Sequence, residues 1–165
     1  LGADPNRVVT FHSLSKRSNL PGLRSGFAAS GEQNIKRMKQ LRAYSGSPIP
    51  EPLQHISASV WDDEEHVIEN RKIYKKKYDF ADKIFADFDG YLSPAAGFFL
   101  WLDVGSGEKT ALKLWQNCGV RVLPGKYLAK DFDGRSPGDR YIRVAMVAEP
   151  EETKNGLIKI REFLR

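Results

Sequence analysis

The 165-residue sequence has one cysteine and no long apolar run, and each scarcity excludes a class of protein. Because the single Cys118 cannot form an intramolecular disulfide, the pattern favours a reducing compartment and predicts a cytoplasmic location. No stretch approaches the roughly 20 apolar residues of a membrane helix, and the first residues do not resemble a secretory signal. We therefore expect no membrane partner and a fold that is stabilised by a packed core.

Metal-ligand patterns are also scarce in this sequence. Its three histidines, His12, His55 and His66, have no partners at the spacing that metal sites use, so we expect no metal. Charge, in contrast, is abundant and unevenly placed. Residues 1–45 carry eight basic and two acidic side chains, whereas residues 46–90 are net acidic and residues 91–165 are net basic. A basic N-terminal region suits either a nucleic acid or a cofactor with a phosphate group.

The hydrophobic pattern predicts three regions that differ in their secondary structure. Residues 1–45 contain two short strands, at 7–11 and 26–30, on either side of a polar loop, and then an amphipathic helix over 32–44. Residues 46–89 form two connecting helices, at 51–61 and 62–87. Residues 90–165 form a compact two-layer α/β domain. Its predicted strands lie at 91–92, 98–104, 120–123 and 141–147, and its predicted helices lie at 108–118 and 151–164.

The residues best suited to catalysis or ligand binding lie in the loop after the first strand. They are Ser13, Ser15, Lys16, Gly22, Arg24 and Gly26. The lysine is either an ordinary solvated side chain or a cleft residue that forms an imine with a carbonyl group. Two hydroxyl groups and a guanidinium group nearby can clamp a phosphate. An imine-forming lysine beside a phosphate clamp suggests pyridoxal phosphate.

The segment SLSKRSNLPGLRSGF resembles the cofactor-lysine signature of class I/II aminotransferases, which are fold-type I pyridoxal phosphate enzymes. That signature is Ser-x-Ser/Thr-Lys, a short spacer, and Gly-x-Arg-x-Gly. The resemblance implies that Lys16 forms the internal aldimine with pyridoxal 5′-phosphate and that Ser13, Ser15 and Arg24 bind the cofactor phosphate. It also implies an α/β fold in which the C-terminal part of the cofactor-binding large domain precedes a two-layer α/β small domain.

The resemblance continues through GFFLWLDV, GVRVLPG and YIRVAMVAEPEET. It implies that Arg143 binds the substrate α-carboxylate, a role that suits a planar guanidinium group on a strand. The sequences of these segments are most similar to those of N-succinyldiaminopimelate aminotransferases of lysine biosynthesis. This similarity implies amino transfer between N-succinyl-diaminopimelate or glutamate and a 2-oxo acid. Arg17 and Lys126 either assist in binding such carboxylate-rich substrates or face solvent.

Relatives in this family are more than twice as long as this sequence, which begins just before the lysine strand. We therefore expect the 165 residues to be a C-terminal portion that is inactive alone. The family further implies a homodimer for the full-length enzyme, with a contact across it by Ser47.

Two alternatives stay open. A pyridoxal phosphate lyase or decarboxylase of the same fold shares the lysine loop. The second alternative is a basic module that binds nucleic acid. This sequence lacks the interleaved aromatic and basic residues of an RNA-binding sheet, so we expect no nucleic-acid partner.

Overall fold

The computed structural model describes residues 4–46 and 48–165, and the chain divides into two units inside a long helix. The first unit ends at Asn70 and the second begins at Arg71. This boundary falls within the segment 46–89 that the sequence predicts as connecting helices. None of the helices in the described residues is long and apolar enough to span a bilayer.

The first unit is built on a two-stranded antiparallel hairpin, β1 (Thr10–Ser13) with β2 (Gly26–Ala29). Strand β1 begins three residues later than the sequence predicts, because Pro5–Arg7 forms a single 3₁₀ turn in which the amide of Asn6 donates to the Asp4 carboxylate. The helices of this unit are α1 (Leu14–Arg17), α2 (Glu32–Ser45), α3 (Glu51–Asp62) and the beginning of α4 (Glu65–Ile84).

Helix starts in the first unit follow the expected local chemistry. Pro50 precedes α3 and Pro52 occupies its first turn, where a missing N–H costs no hydrogen bond. At the start of α4, the Asp63 carboxylate accepts a hydrogen bond of 2.9 Å from the amide of Glu65. An acidic side chain at this end is also favoured by the helix dipole. The predicted helix over 62–87 is therefore observed with a shorter span.

The second unit contains a three-stranded antiparallel sheet in the order β3 (Phe99–Asp103), β5 (Tyr141–Ala145), β4 (Leu123–Pro124). Side chains on a strand alternate between the two faces of the sheet. Leu100, Leu102, Ile142 and Val144 occupy one face and are buried. This face joins α5 (Gly107–Cys118), α6 (Pro150–Phe163) and the last turns of α4 in one hydrophobic core.

Two predicted strands of the second unit are wrong or too long. Residues 91–92 form no strand, because the amide of Tyr91 closes a turn on the carbonyl of Phe88 and Leu92 is exposed. The strand predicted over 120–123 pairs only at Leu123–Pro124. Val120 instead donates to the carbonyl of Leu114 and completes the end of α5.

Candidate functional site

The predicted lysine loop connects β1 to β2. Ser13 lies opposite Gly26 in the hairpin register, and the amide of Leu14 donates to the carbonyl of Ser25 at 3.1 Å. The loop therefore begins and ends at one point. This closure places Lys16 three residues beyond the Ser13–Gly26 pair and Arg24 two residues before it.

Lys16 lies on α1 rather than on irregular backbone. The carbonyl of Leu14 accepts hydrogen bonds from the amides of Ser18, at 3.1 Å, and Leu20, at 3.2 Å. The Leu14 side chain is completely buried, whereas Lys16 is exposed and Ser15 is half-buried. Helix α1 is thus anchored through Leu14 and presents Lys16 outward.

The second half of the loop contains two residues in the left-handed backbone region. Asn19 and Arg24 both have φ of 53°, a conformation that L residues other than glycine and asparagine adopt reluctantly. The Nη1 atom of Arg24 donates to the carbonyl of Pro21 at 3.0 Å, and the side chain is otherwise exposed. Gly22 has negative φ and open space around it, whereas a Cβ on Gly26 would lie 2.6 Å from the carbonyl oxygen of His12. Gly26, unlike Gly22, is therefore a position where the backbone of another strand approaches closely.

The hydroxyl groups of Ser13 and Ser15 make no hydrogen bond to residues 4–46 or 48–165. Ser13 stands at the capping position of α1, yet its side chain does not cap the helix. Both serines are half-buried. Hydroxyl and guanidinium groups are donor types that bind phosphate, and this loop contains two of the first and, at Arg24, one of the second.

Arg17 behaves differently from both sequence interpretations, because its side chain is 9% exposed and bound within the protein. It bonds to the end of α3 and the residues that follow. Its Nη1 atom donates to the carbonyl of Val60 at 3.1 Å and to the Ser18 hydroxyl at 3.3 Å. Its Nη2 atom donates to the carbonyls of Trp61, at 3.2 Å, and Asp63, at 3.4 Å. The same Nη2 atom also donates to the Glu64 carboxylate. These bonds use the donors of both terminal nitrogens. The guanidinium group is therefore neither a substrate ligand nor a solvated cation.

The second unit contains Arg143 on the central strand β5. Its Cα pairs with that of Trp101, and it points to the sheet face opposite the core, since its neighbours Ile142 and Val144 are buried. Its guanidinium carbon lies 5.5 Å from the centre of the Phe99 ring. Within the described part of the chain, Arg143 has no carboxylate partner.

A second arginine of the same strand region provides a contrast to Arg143. Arg140 donates to the carboxylate of Asp103 at 2.9 Å, and this hydrogen bond lowers the pKa of Asp103 below its usual range. Arg140 is thus paired with a carboxylate, whereas Arg143 contacts the Phe99 ring. Lys126 lies on the exposed side of a 3₁₀ turn at Gly125–Leu128, and the structure gives it no further role.

Comparisons with known proteins agree over nearly the whole chain. The family model described as aminotransferase class I and II matches residues 1–160. A transaminase for 4-dedimethylamino-4-oxo-anhydrotetracycline from Streptomyces rimosus is 30% identical over 152 residues, covering 91% of this chain and 40% of the relative. An LL-diaminopimelate aminotransferase from Dehalococcoides mccartyi is 26% identical over 160 residues, covering 94% of this chain and 40% of the relative.

Solved structures are similar in the same way. The crystal structure of an aminotransferase from Neisseria meningitidis has a TM-score of 0.94 and 38% identity, covering 99% of this chain and 42% of that one. The aminotransferase AspB from Helicobacter pylori has a TM-score of 0.87 and 34% identity, covering 97% of this chain and 41% of that one. The α/β fold-type I architecture expected from the sequence is confirmed. The chain spans about two fifths of the length of the relatives it matches.

Proposed function

Because this chain belongs to the aminotransferase class I and II family, we propose that the protein containing it transfers amino groups between an amino acid and a 2-oxo acid. The family in general depends on pyridoxal 5′-phosphate. The observation that supports the proposal is the closed β1–β2 loop, which contains Lys16 and the residues that we propose as phosphate ligands. The proposed ligands are Arg24, which also donates to the carbonyl of Pro21, and the Ser13 and Ser15 hydroxyls, which make no hydrogen bond within the described residues.

Each residue of the loop has a definite task in this proposal. Ser13, Ser15 and Arg24 bind the cofactor phosphate, and Lys16 attaches the cofactor through its ε-amino group. When bound, the cofactor supplies an electron-withdrawing ring that stabilises negative charge at the substrate Cα. Once the substrate amino group has replaced it on the cofactor, the freed ε-amino group of Lys16 would take the proton from Cα and return it to a different atom, since a primary amine can act as both base and acid.

Arg143 is proposed to bind the substrate α-carboxylate. Its planar guanidinium group can form two parallel hydrogen bonds with a carboxylate, and β5 provides a rigid base for it. The lack of a carboxylate partner within the described residues supports this role, since Arg140 on the same strand region is already paired. In this respect the two arginines divide structural and binding roles between them.

The substrates are proposed to be N-succinyl-diaminopimelate or glutamate, with a 2-oxo acid as the acceptor. The similarity of the sequence to N-succinyldiaminopimelate aminotransferases supports this choice, and several relatives are named LL-diaminopimelate aminotransferases. We further propose a cytoplasmic homodimer for the protein. The predicted contact of Ser47 across that dimer lies outside the described residues.

The proposal is tested by replacing Lys16 in the protein that contains this chain. We expect Lys16→Ala to lose cofactor attachment, seen by absorbance, and to lower turnover by at least the roughly 10²–10⁴-fold of a proton-transferring group. Lys36→Ala, which removes an exposed lysine of α2, is the matched control and should behave as wild type. Wild-type turnover by Lys16→Ala would exclude the proposed role.

A second measurement separates amino transfer from the lyase and decarboxylase alternative. Amino transfer produces glutamate from 2-oxoglutarate in step with consumption of the amino donor. Release of ammonia or carbon dioxide in place of glutamate would favour the alternative. We also expect the 165-residue chain by itself to show no steady turnover in this assay, because it spans only about two fifths of the length of its relatives.

A further inference from the structure

Arg17 is the residue directly after the proposed cofactor lysine, and its contacts reach far along the sequence. Its acceptors at Val60, Trp61 and Asp63 are 43 to 46 residues away. They belong to the C-terminal end of α3 and the residues just after it. One buried side chain therefore ties α1 to α3.

The chemistry at the end of α3 explains why an arginine is suited to this place. The last four carbonyl groups of a helix have no partner within the helix, and the helix dipole favours a cation there. A guanidinium group presents several donors in a fixed plane and can satisfy several carbonyls at once. Its carbon atom also lies 4.9 Å from the centre of the Trp61 ring, a favourable cation–π distance.

Besides Arg17, helix α1 is held at its first residue, Leu14, whose amide donates to Ser25 and whose carbonyl accepts from Ser18 and Leu20. It is four residues long, and Leu14 is its single completely buried side chain. A helix of this length is not stable without tertiary contacts. The bonds that Arg17 makes to α3 therefore add a second attachment for α1, on the residue next to Lys16.

We propose that Arg17 is a positioning residue that fixes α1 against the end of α3 and thereby orients the ε-amino group of Lys16. The inference rests on the proposed function, because it takes Lys16 as the residue that attaches the cofactor. Arg17 itself touches neither cofactor nor substrate, since its terminal nitrogens are committed to α3, Glu64 and Ser18. It acts through the backbone of α1.

The test compares Arg17→Met and Arg17→Lys in the protein that contains this chain. The first readout uses cofactor-free protein: hydrogen exchange at the amides of Ser18 and Leu20, which bond to Leu14. The second is the rate at which an acylating reagent modifies Lys16 as a function of pH, followed by mass spectrometry. The third is the dissociation constant for added pyridoxal 5′-phosphate.

We expect Arg17→Met to speed exchange at both amides, to change the acylation profile of Lys16 and to weaken cofactor binding by about tenfold or more. Arg17→Lys should recover part of the loss, since one ammonium group retains the charge but cannot bond to all the acceptors. Val67→Ala is the control for stability alone: it removes buried methyl groups from α4 in the same unit. It should lower the melting temperature and leave cofactor binding unchanged at low temperature.

The outcomes separate this inference from the proposed function. Cofactor binding by Arg17→Met within about twofold of wild type, with unchanged exchange at Ser18 and Leu20, would overturn the positioning role. So would an equal loss of binding in Val67→Ala. If Lys16→Ala binds cofactor as wild type does, the proposed function fails, while the exchange readout still reports on α1. Should Arg17→Met fail to fold, Arg17→Lys and Glu64→Gln, which keeps the carbonyl acceptors, carry the same comparison.

Discussion

The two units of the chain are stabilised by different means. In the second unit, β3 and β5 contribute one face to a continuous core in which Leu102 and Ile142 are completely buried. In the described residues of the first unit, Leu14 and Val67 are the buried apolar side chains, whereas Phe11 and Leu41 are about two-thirds exposed. The proposed cofactor site therefore lies where hydrogen bonds and a buried cation, more than apolar packing, determine the local structure.

The largest expected effect is in the core of the second unit. Leu102→Ala should lower the free energy of unfolding of this unit by about 2–5 kcal/mol, because it leaves a cavity where a completely buried side chain was. Urea denaturation followed by circular dichroism measures the change. Leu41→Ala on α2 of the first unit is the matched control, and we expect a change within about 0.5 kcal/mol. Equal losses in the two variants would show that Leu41 is covered in solution and would remove the contrast.

A smaller effect is expected at the hairpin of the first unit. Gly26→Ala should destabilise the β1–β2 pair by about 1–3 kcal/mol, because the new Cβ would lie 2.6 Å from the carbonyl oxygen of His12. Gly22→Ala in the same loop meets open space and should change stability by less than about 0.5 kcal/mol. Hydrogen exchange at the amide of Leu14 reports on both variants. If both alanines are tolerated alike, the hairpin is more adaptable than its register suggests.

The smallest effect tests one hydrogen bond in the second unit. The Tyr91 hydroxyl donates to the Asp82 carboxylate at 2.5 Å. This bond lowers the pKa of Asp82, while burial and, secondarily, the bond to Asp82 raise the pKa of Tyr91 to about 12. Tyr91→Phe should therefore cost about 0.5–1.5 kcal/mol near neutral pH.

The pH dependence of that cost has a definite sign. The lowered pKa of Asp82 contributes stability above about pH 4, which is lost as pH falls through the folded-state pKa. The raised pKa of Tyr91 contributes stability below about pH 10, which is lost as pH rises through about 12. The difference between wild type and Tyr91→Phe should thus be largest between these limits and shrink on both sides. Urea denaturation over this pH range measures it, and a difference independent of pH would mean that only packing was lost.

The sequence predicts the helices well because their signals are local. Apolar spacing and terminal prolines or glycines predict α2, α3, α5 and α6 with bounds close to those observed. The loop motif likewise predicts which residues meet at the β1–β2 turn, since they are neighbours in sequence. Their functional roles remain proposals.

Two kinds of feature could not be predicted from local patterns. The acceptors of Arg17 at the end of α3 lie more than 40 residues away, so no spacing in the loop indicates that this cation is buried. At Tyr91 the amide closes a turn on the carbonyl of Phe88, and the side chain bonds to Asp82, so contacts other than strand pairing outweigh the strand preference of the sequence. One signal could have suggested a distant arginine. The last carbonyl groups of α3 have no partner within the helix and need donors from elsewhere.

The left-handed backbone of Arg24 has a consequence for engineering this protein. Glycine would relieve the strain of a side chain at φ of 53°, and such replacements commonly raise stability by about 1 kcal/mol. Arg24→Gly should therefore make the loop more stable while removing a proposed phosphate ligand. This position is where a stability–activity trade-off can be measured directly, with melting temperature and cofactor affinity expected to change in opposite senses.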